Sequence, residues 1–166
     1  MSERMSPQGA SAARLIAELT ARGLRIAVAE SLTGGLVAAE LTSVPGASVV
    51  VSGGVVAYAT PVKHALLGVS SELLAREGAV HAEVARQMAD GVRFALALDG
   101  RPTDVGLATT GVAGPDPQDG RSPGTVFVGV AIGGRVDAVE LELAGGRDAI
   151  RRATVDAAIL AVLARI

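Results

Sequence analysis

The chain contains no cysteine and no tryptophan, and its aromatic residues are only Tyr58, Phe94 and Phe127. Without cysteine there is no disulfide framework, no thiolate metal site and no thiol nucleophile. So few aromatics leave no platform on which single-stranded nucleic acid could stack. They also require a core built from Ala, Val, Leu and Ile. Charge excludes a phosphate-backbone reader as well, because 15 Lys and Arg against 17 Asp and Glu give a net charge of −2. His64, His81 and Glu83 lack the spacing of a usual zinc motif, so neither a metal nor a cofactor is expected. Residues 1–10 are polar, without the apolar run of a signal peptide. The uncharged stretch 41–62 is broken by Pro45, Gly46, Gly53, Gly54 and Pro61, and reads as strand and turns rather than a membrane span. A cytoplasmic protein with no membrane and no nucleic-acid partner is expected.

What remains is 166 residues, 49% hydrophobic, which is enough for one domain with a substantial core. Residues 1–10 are expected to form a flexible tail and 11–166 a single domain. Leu15, Ile16 and Leu19 predict a helix over 12–22, stopped by Gly23. Residues 25–29 read as a buried strand, and a helix follows from Leu36. The β-branched run 48–57, with Gly53-Gly54 inside it, reads as a strand with a bulge or bend. Thr60 as N-cap and Pro61 as first residue predict a short helix to Leu67, and a second starts at Ser70 or Ser71. A long helix spans 81–98, with Val84, Met88, Val92, Ala95 and Leu96 on its inner face. A strand over 105–109 leads into a Gly-, Pro- and Asp-rich loop over 110–124. Runs 125–132 and 136–143 form a hairpin about Gly133-Gly134. The last helix, 147–164, turns Ile150, Ala153, Ala157, Leu160 and Ala161 inward. Helices alternating with strands, closed by a hairpin, specify a three-layer α/β/α sandwich on a mixed, mostly parallel sheet of about five strands.

Three loops should meet at the carboxyl edge of that sheet, where open α/β sheets bind ligands. The first, Ala29-Glu30-Ser31-Leu32-Thr33-Gly34-Gly35, joins a strand to a helix. Free amides at the helix start suit a phosphate or a developing oxyanion, and the glycines permit close approach. The same residues also fit a plain structural reading, in which Ser31 or Thr33 only caps the helix. No phosphate-loop or dinucleotide fingerprint is present, so chemistry here needs a partner from elsewhere in the chain. The second loop holds Tyr58 and Lys63. A cation in the first turn of a helix is at the wrong end of the dipole, which depresses its pKa; a surface lysine gains nothing there, whereas a general base does. The third begins Thr109-Thr110-Gly111-Val112-Ala113-Gly114-Pro115 and offers hydroxyl and backbone groups to a polar ligand, or ordinary turn chemistry. Arg147 and Arg151, one turn apart at a helix start, could clamp a phosphate or line a solvated face.

Taken together, the Ala29-to-Gly35 motif, the Gly54-to-Tyr58 strand running into Lys63, Thr110 to Pro115, Gly124-Thr125-Val126 and the pair Arg147 and Arg151 resemble the CinA C-terminal domain family, also known as nicotinamide-nucleotide amidohydrolases. The resemblance spans nearly the whole chain from Ala12, without the N-terminal nucleotide-processing domain of the larger proteins. Leu32 stands where family members usually carry Cys. The resemblance implies hydrolysis of the carboxamide of nicotinamide mononucleotide to nicotinic acid mononucleotide and ammonia. It assigns Ser31 as nucleophile, Lys63 as base and Tyr58 as an assisting group. Amides near Thr33, Gly34 and Gly35 are candidates for the oxyanion site, and Thr110, Gly111 and Arg147 for substrate binding. The expected partner is a small nucleotide, with self-association into a homo-oligomer. An amidase of a related nucleotide and a non-catalytic nucleotide-binding module remain alternatives.

Overall fold

Every residue of the strand β1, Ile26–Glu30, is buried, so the sheet that holds it must be covered on both faces. The computed structural model describes residues 7–166. Around β1 the chain forms α1 (Pro7–Arg22), α2 (Leu36–Thr42), β2 (Val51–Val56), α3 (Thr60–Leu67), α4 (Ser71–Glu77) and α5 (Ala82–Ala95), then β3 (Val105–Gly111), β4 (Thr125–Ile132), β5 (Arg135–Glu142) and α6 (Arg147–Leu163). The five strands make one sheet in the order β2-β1-β3-β4-β5. β1 pairs in parallel with β2 and β3, and the pairs β3–β4 and β4–β5 are antiparallel. Only β4 therefore runs against the rest. The expected three-layer sandwich with a mixed sheet is the fold observed.

Side chains alternate strictly between the two layers, as a two-residue period requires. Ile26 and Val28 of β1, Leu107 of β3 and Val126, Val128 and Val130 of β4 face α1, α2 and α6, against Leu15, Leu19, Val37, Leu41, Ile150 and Ile159. The opposite face carries small residues, Ala27, Ala29, Ala108 and Ala131, against Met88, Ala89 and Val92 of α5 and Leu67, Leu73 and Leu74. Gly106 and Gly129 continue that face. A Cβ on Gly106 would land on the Ala89 carbonyl oxygen, and one on Gly129 on that of Ala85. The backbone of α5 thus rests directly on the sheet.

Several boundaries differ from those read in the sequence. α1 begins at Pro7, so residues 7–10 are helix rather than tail, while residues 1–6 lie outside the described residues. A 3-10 turn, Ala47–Val49, takes the start of the expected second strand. The bulge is present, because the register steps from Ile26 opposite Val51 to Ala27 opposite Gly53. Ala59, not Thr60, caps α3, without a side-chain hydrogen bond. α5 stops at Ala95, which is exposed, because Asp99 and Gly100 turn at positive φ and an isolated bridge joins Leu98 to Arg101. β3 runs on to Gly111, so Thr110 and Gly111 belong to the sheet rather than the loop. α6 buries Ile150, Thr154, Val155, Ala158, Ile159, Ala161 and Val162, whereas Leu160 is 52% exposed. Two stripes of helical spacing overlap in this Ala-rich helix, and the β-branched one is larger. Among the described residues no helix is long and apolar enough to cross a membrane.

The close seat of α5 gives a test. Gly129→Ala should destabilise the fold by about 1–3 kcal/mol, the usual range for overpacking, seen as a lower urea midpoint with an unchanged slope. An unaltered midpoint would mean that α5 does not sit on the sheet as described.

Candidate active site at the carboxyl edge of the sheet

The turn after β1 is held from three sides. Glu30 is buried, and its carboxylate accepts N–H bonds from Gly35 (3.0 Å), Val37 (3.0 Å) and Ala38 (2.9 Å). An ionised acceptor suits these otherwise unpaired amides at the start of α2. Glu30 therefore does what Ser31 or Thr33 was expected to do as a cap. Arg151 of α6 donates from Nε to the Leu32 carbonyl (2.9 Å) and from Nη2 to that of Thr33 (3.2 Å). The third tie is β3: Ser31 N–H bonds the Thr109 carbonyl (3.0 Å), and the Thr33 and Thr109 hydroxyls lie 2.8 Å apart.

These bonds correct one expectation. Gly34 N–H donates to the Ser31 carbonyl and Gly35 N–H to Glu30, so neither amide is free for an oxyanion. Thr33, Gly34 and Gly35 also lie off the cavity wall. Glu30 had no role in the sequence reading, although a carboxylate ending an apolar strand just before a helix is a visible signal.

Lys63, the fourth residue of α3, is 1% exposed. Its Nζ donates to Ser31 Oγ (2.9 Å), to the Ala57 carbonyl (2.7 Å) and to the Tyr58 carbonyl (3.3 Å). Three acceptors match the three hydrogens of an ammonium group. After losing one proton, the amine can keep both carbonyls and turn its lone pair to the Ser31 hydroxyl. Burial pushes the Lys63 pKa from 10.5 down to about 8, with the Asp119 charge opposing the shift. The direction is the one expected, and desolvation by burial is its principal cause. One sequence signal went unused: Lys63 is the only lysine, beside fourteen arginines.

In front of Ser31 lies a cavity of about 280 Å³, walled by Ser31, Tyr58, Thr110, Gly111 and Arg147, with Asp116 and Gln118 from the following loop. It opens between the ends of β1 and β3, where the chain's crossovers diverge, the switch point of the sheet. Arg147 donates from Nη1 to the Gly114 carbonyl (2.7 Å) and from Nη2 to the Tyr58 hydroxyl (3.0 Å). The Tyr58 phenol therefore meets Arg147, and only the Tyr58 carbonyl touches the Lys63 amine. Thr110 Oγ1 donates to the Ala79 carbonyl (2.7 Å). His64 turns away, with Nδ1 against the Val69 carbonyl (2.7 Å). Asp116 and Gln118 escaped the sequence reading because a Gly- and Pro-rich loop gives no periodicity to orient them. Among the described residues no group of three or more His, Asp or Glu could hold a metal ion.

The architecture is thus an α/β sandwich with a buried Ser–Lys pair at the switch point of a mixed sheet. Residues 9–166 match the CinA C-terminal domain, and the chain belongs to that family. It is 48% identical over 141 residues to a CinA-like protein of Frankia casuarinae, covering 85% of this chain and 31% of that protein. Against a CinA-like protein of an Anaeromyxobacter species the identity is 50% over 141 residues, 84% and 33% of the two chains. The chain spans about a third of the length of these curated relatives. The crystal structure of the competence/damage inducible protein CihA from Agrobacterium tumefaciens superposes with a TM-score of 0.89 at 35% identity, covering 99% of this chain and 98% of that one.

A single lysine makes its titration readable without assignment. Protein labelled at lysine Cε should give one side-chain signal by NMR, titrating near pH 8 rather than 10.5. The linkage has a definite sign. The folded chain binds fewer protons than the unfolded chain between about 8 and 10.5, so stability rises with pH across that window. The penalty is fully present below it. At roughly 1.4 kcal/mol per unit the rise is on the order of 3 kcal/mol, and Lys63→Met should abolish it. A Lys63 signal titrating near its ordinary value would contradict the burial described.

Proposed function

We propose that this chain hydrolyses the carboxamide of nicotinamide mononucleotide, releasing ammonia and nicotinic acid mononucleotide, with Ser31 as nucleophile and Lys63 as base. The observation that carries this reading is the 2.9 Å contact between Lys63 Nζ and Ser31 Oγ, in an amine whose other two hydrogens already have acceptors. Neutral Lys63 takes the Ser31 proton as Oγ attacks the carboxamide carbon. The resulting ammonium returns that proton to the departing nitrogen, which leaves as ammonia and gives an acyl ester on Ser31. Lys63 then draws a proton from water, whose oxygen attacks the ester. The acid is released and the Ser31 hydroxyl restored. Thr110 and Gly111 form the wall facing the ring, and Arg147, in the first turn of α6, is the group for the phosphate.

The reading is tested by ammonia release. kcat should rise with pH to a plateau above about 8, since Lys63 must be neutral to act. Lys63→Arg keeps a cation but cannot deprotonate, so both it and Ser31→Ala should lose on the order of 10²–10⁴-fold. Ser31→Ala should still bind the nucleotide. Tight binding by the wild type without ammonia would favour a nucleotide-binding module instead, and a Lys63→Arg variant with most of its kcat would leave Lys63 as a mere charge.

The phosphate assignment has its own test. The phosphate-free riboside should show a kcat/KM lower by about 10–100-fold, the worth of a charge-assisted contact. Arg147→Ala should remove most of the nucleotide's advantage over the riboside. Equal values for both substrates in the wild type would show that no phosphate group is bound.

A further inference from the structure

Of the three aromatic residues only Tyr58 faces the cavity, and it is 59% exposed. Phe127 is covered by the core, and Phe94 is 58% exposed but away from the cavity. Each phenylalanine has an arginine over its ring, Arg93 on Phe94 and Arg121 on Phe127, both 5.8 Å from the centroid. Tyr58 has no such contact among the described residues. Its neighbouring cation, Arg147, instead holds the ring by the hydroxyl, with the guanidinium also tied to the Gly114 carbonyl. At the other end, the Tyr58 carbonyl takes a hydrogen bond from Lys63. The residue is thus held at its hydroxyl and at its backbone carbonyl, and it lines the cavity.

The charges around this residue are unequal. When Lys63 is neutral, the charged side chains of the wall are Arg147 and Asp116. Arg147 is the group assigned above to the phosphate, which leaves Asp116 as the other charged side chain of the wall, of the sign that attracts a cation. An aromatic face attracts a cation through its quadrupole, and a carboxylate nearby adds to the attraction.

We propose that the open face of Tyr58, with Asp116, is the seat of a cationic heteroaromatic ring, so that the site selects pyridinium amides over uncharged aromatic amides of the same shape. This deepens the function proposed above and rests on it for placing the carboxamide at Ser31. Tyr58 then serves specificity through its ring rather than proton transfer through its hydroxyl.

The test compares two ligands on the full chain carrying Ser31→Ala, which holds the amide unreacted. One is nicotinamide mononucleotide. The other is its neutral isostere, the 3-carbamoylphenyl C-riboside 5′-phosphate, in which carbon replaces the ring nitrogen. Calorimetry should show the pyridinium bound about 2–30-fold tighter, the range of a cation–π contact. Adding Tyr58→Leu should bring the ratio close to one, Tyr58→Phe should keep most of it, and Asp116→Asn should weaken only the cation. Because the chain has no tryptophan and one tyrosine, quenching of tyrosine emission by the pyridinium reports contact with Tyr58 directly. Equal affinities, a ratio indifferent to Tyr58→Leu, or no binding of either ligand would overturn the inference. Ammonia release by the wild type separates the two readings. Turnover with equal affinities sinks only the ring seat, whereas a retained ratio without turnover sinks only the hydrolysis.

Discussion

An amine buried against a serine hydroxyl is the constraint around which the site is built. An ammonium group taken out of water is costly unless each of its hydrogens finds an acceptor. Here the two carbonyls come from Ala57 and Tyr58, at the point where the chain leaves β2 for α3. Both elements must hold their relative position for Nζ to meet them and Ser31 together. The arrangement supports either protonation state, with three acceptors for the cation and a donor hydroxyl for the amine. That is what a group cycling between base and acid requires.

The turn that carries Ser31 is held in place for a related reason. It has no side-chain cap of its own, and its φ-positive Gly35 begins α2 without one. Glu30 from the strand below gathers three amides, and Arg151 from α6 takes two carbonyls. A negative group thus satisfies the donors and a positive group the acceptors of the same short segment. Both come from elements that the core already fixes, since β1 is fully buried and α6 packs on β3 and β4. Arg147, one turn before Arg151, is free for a different duty at the cavity mouth. The two arginines that look equivalent in sequence therefore divide, one bracing the turn and one lining the cavity.

Much of this was legible in the residue pattern. The apolar run ending at Glu30, the hydroxyl and glycine turn after it, and the small helix carrying Lys63 all placed chemistry at one sheet edge, where the structure puts Ser31, Lys63, Tyr58, Thr110, Gly111 and Arg147. Strand and helix types followed from periods of two and about 3.6 residues, which are local properties of the chain. Element ends were less legible. The stop of α5 at Ala95 depends on a backbone turn at Asp99 and Gly100, and the start of α1 at Pro7 lies in a stretch with little apolar signal.

The sequence by itself determined the alternation of strands and helices, the absence of a thiol, and the short list of groups able to act, because these depend on composition and local period. The tertiary structure alone decided how those groups are used. Whether the Gly35 amide is free turns on Glu30 folding back over α2, whether Tyr58 meets Ser31 or Arg147 turns on where α6 begins, and which stripe of α6 is buried turns on how it packs on the sheet. The Tyr58–Arg147 contact and the burial of α6 join residues distant in the chain, and the energy of such a contact depends on shape and burial that no local pattern encodes.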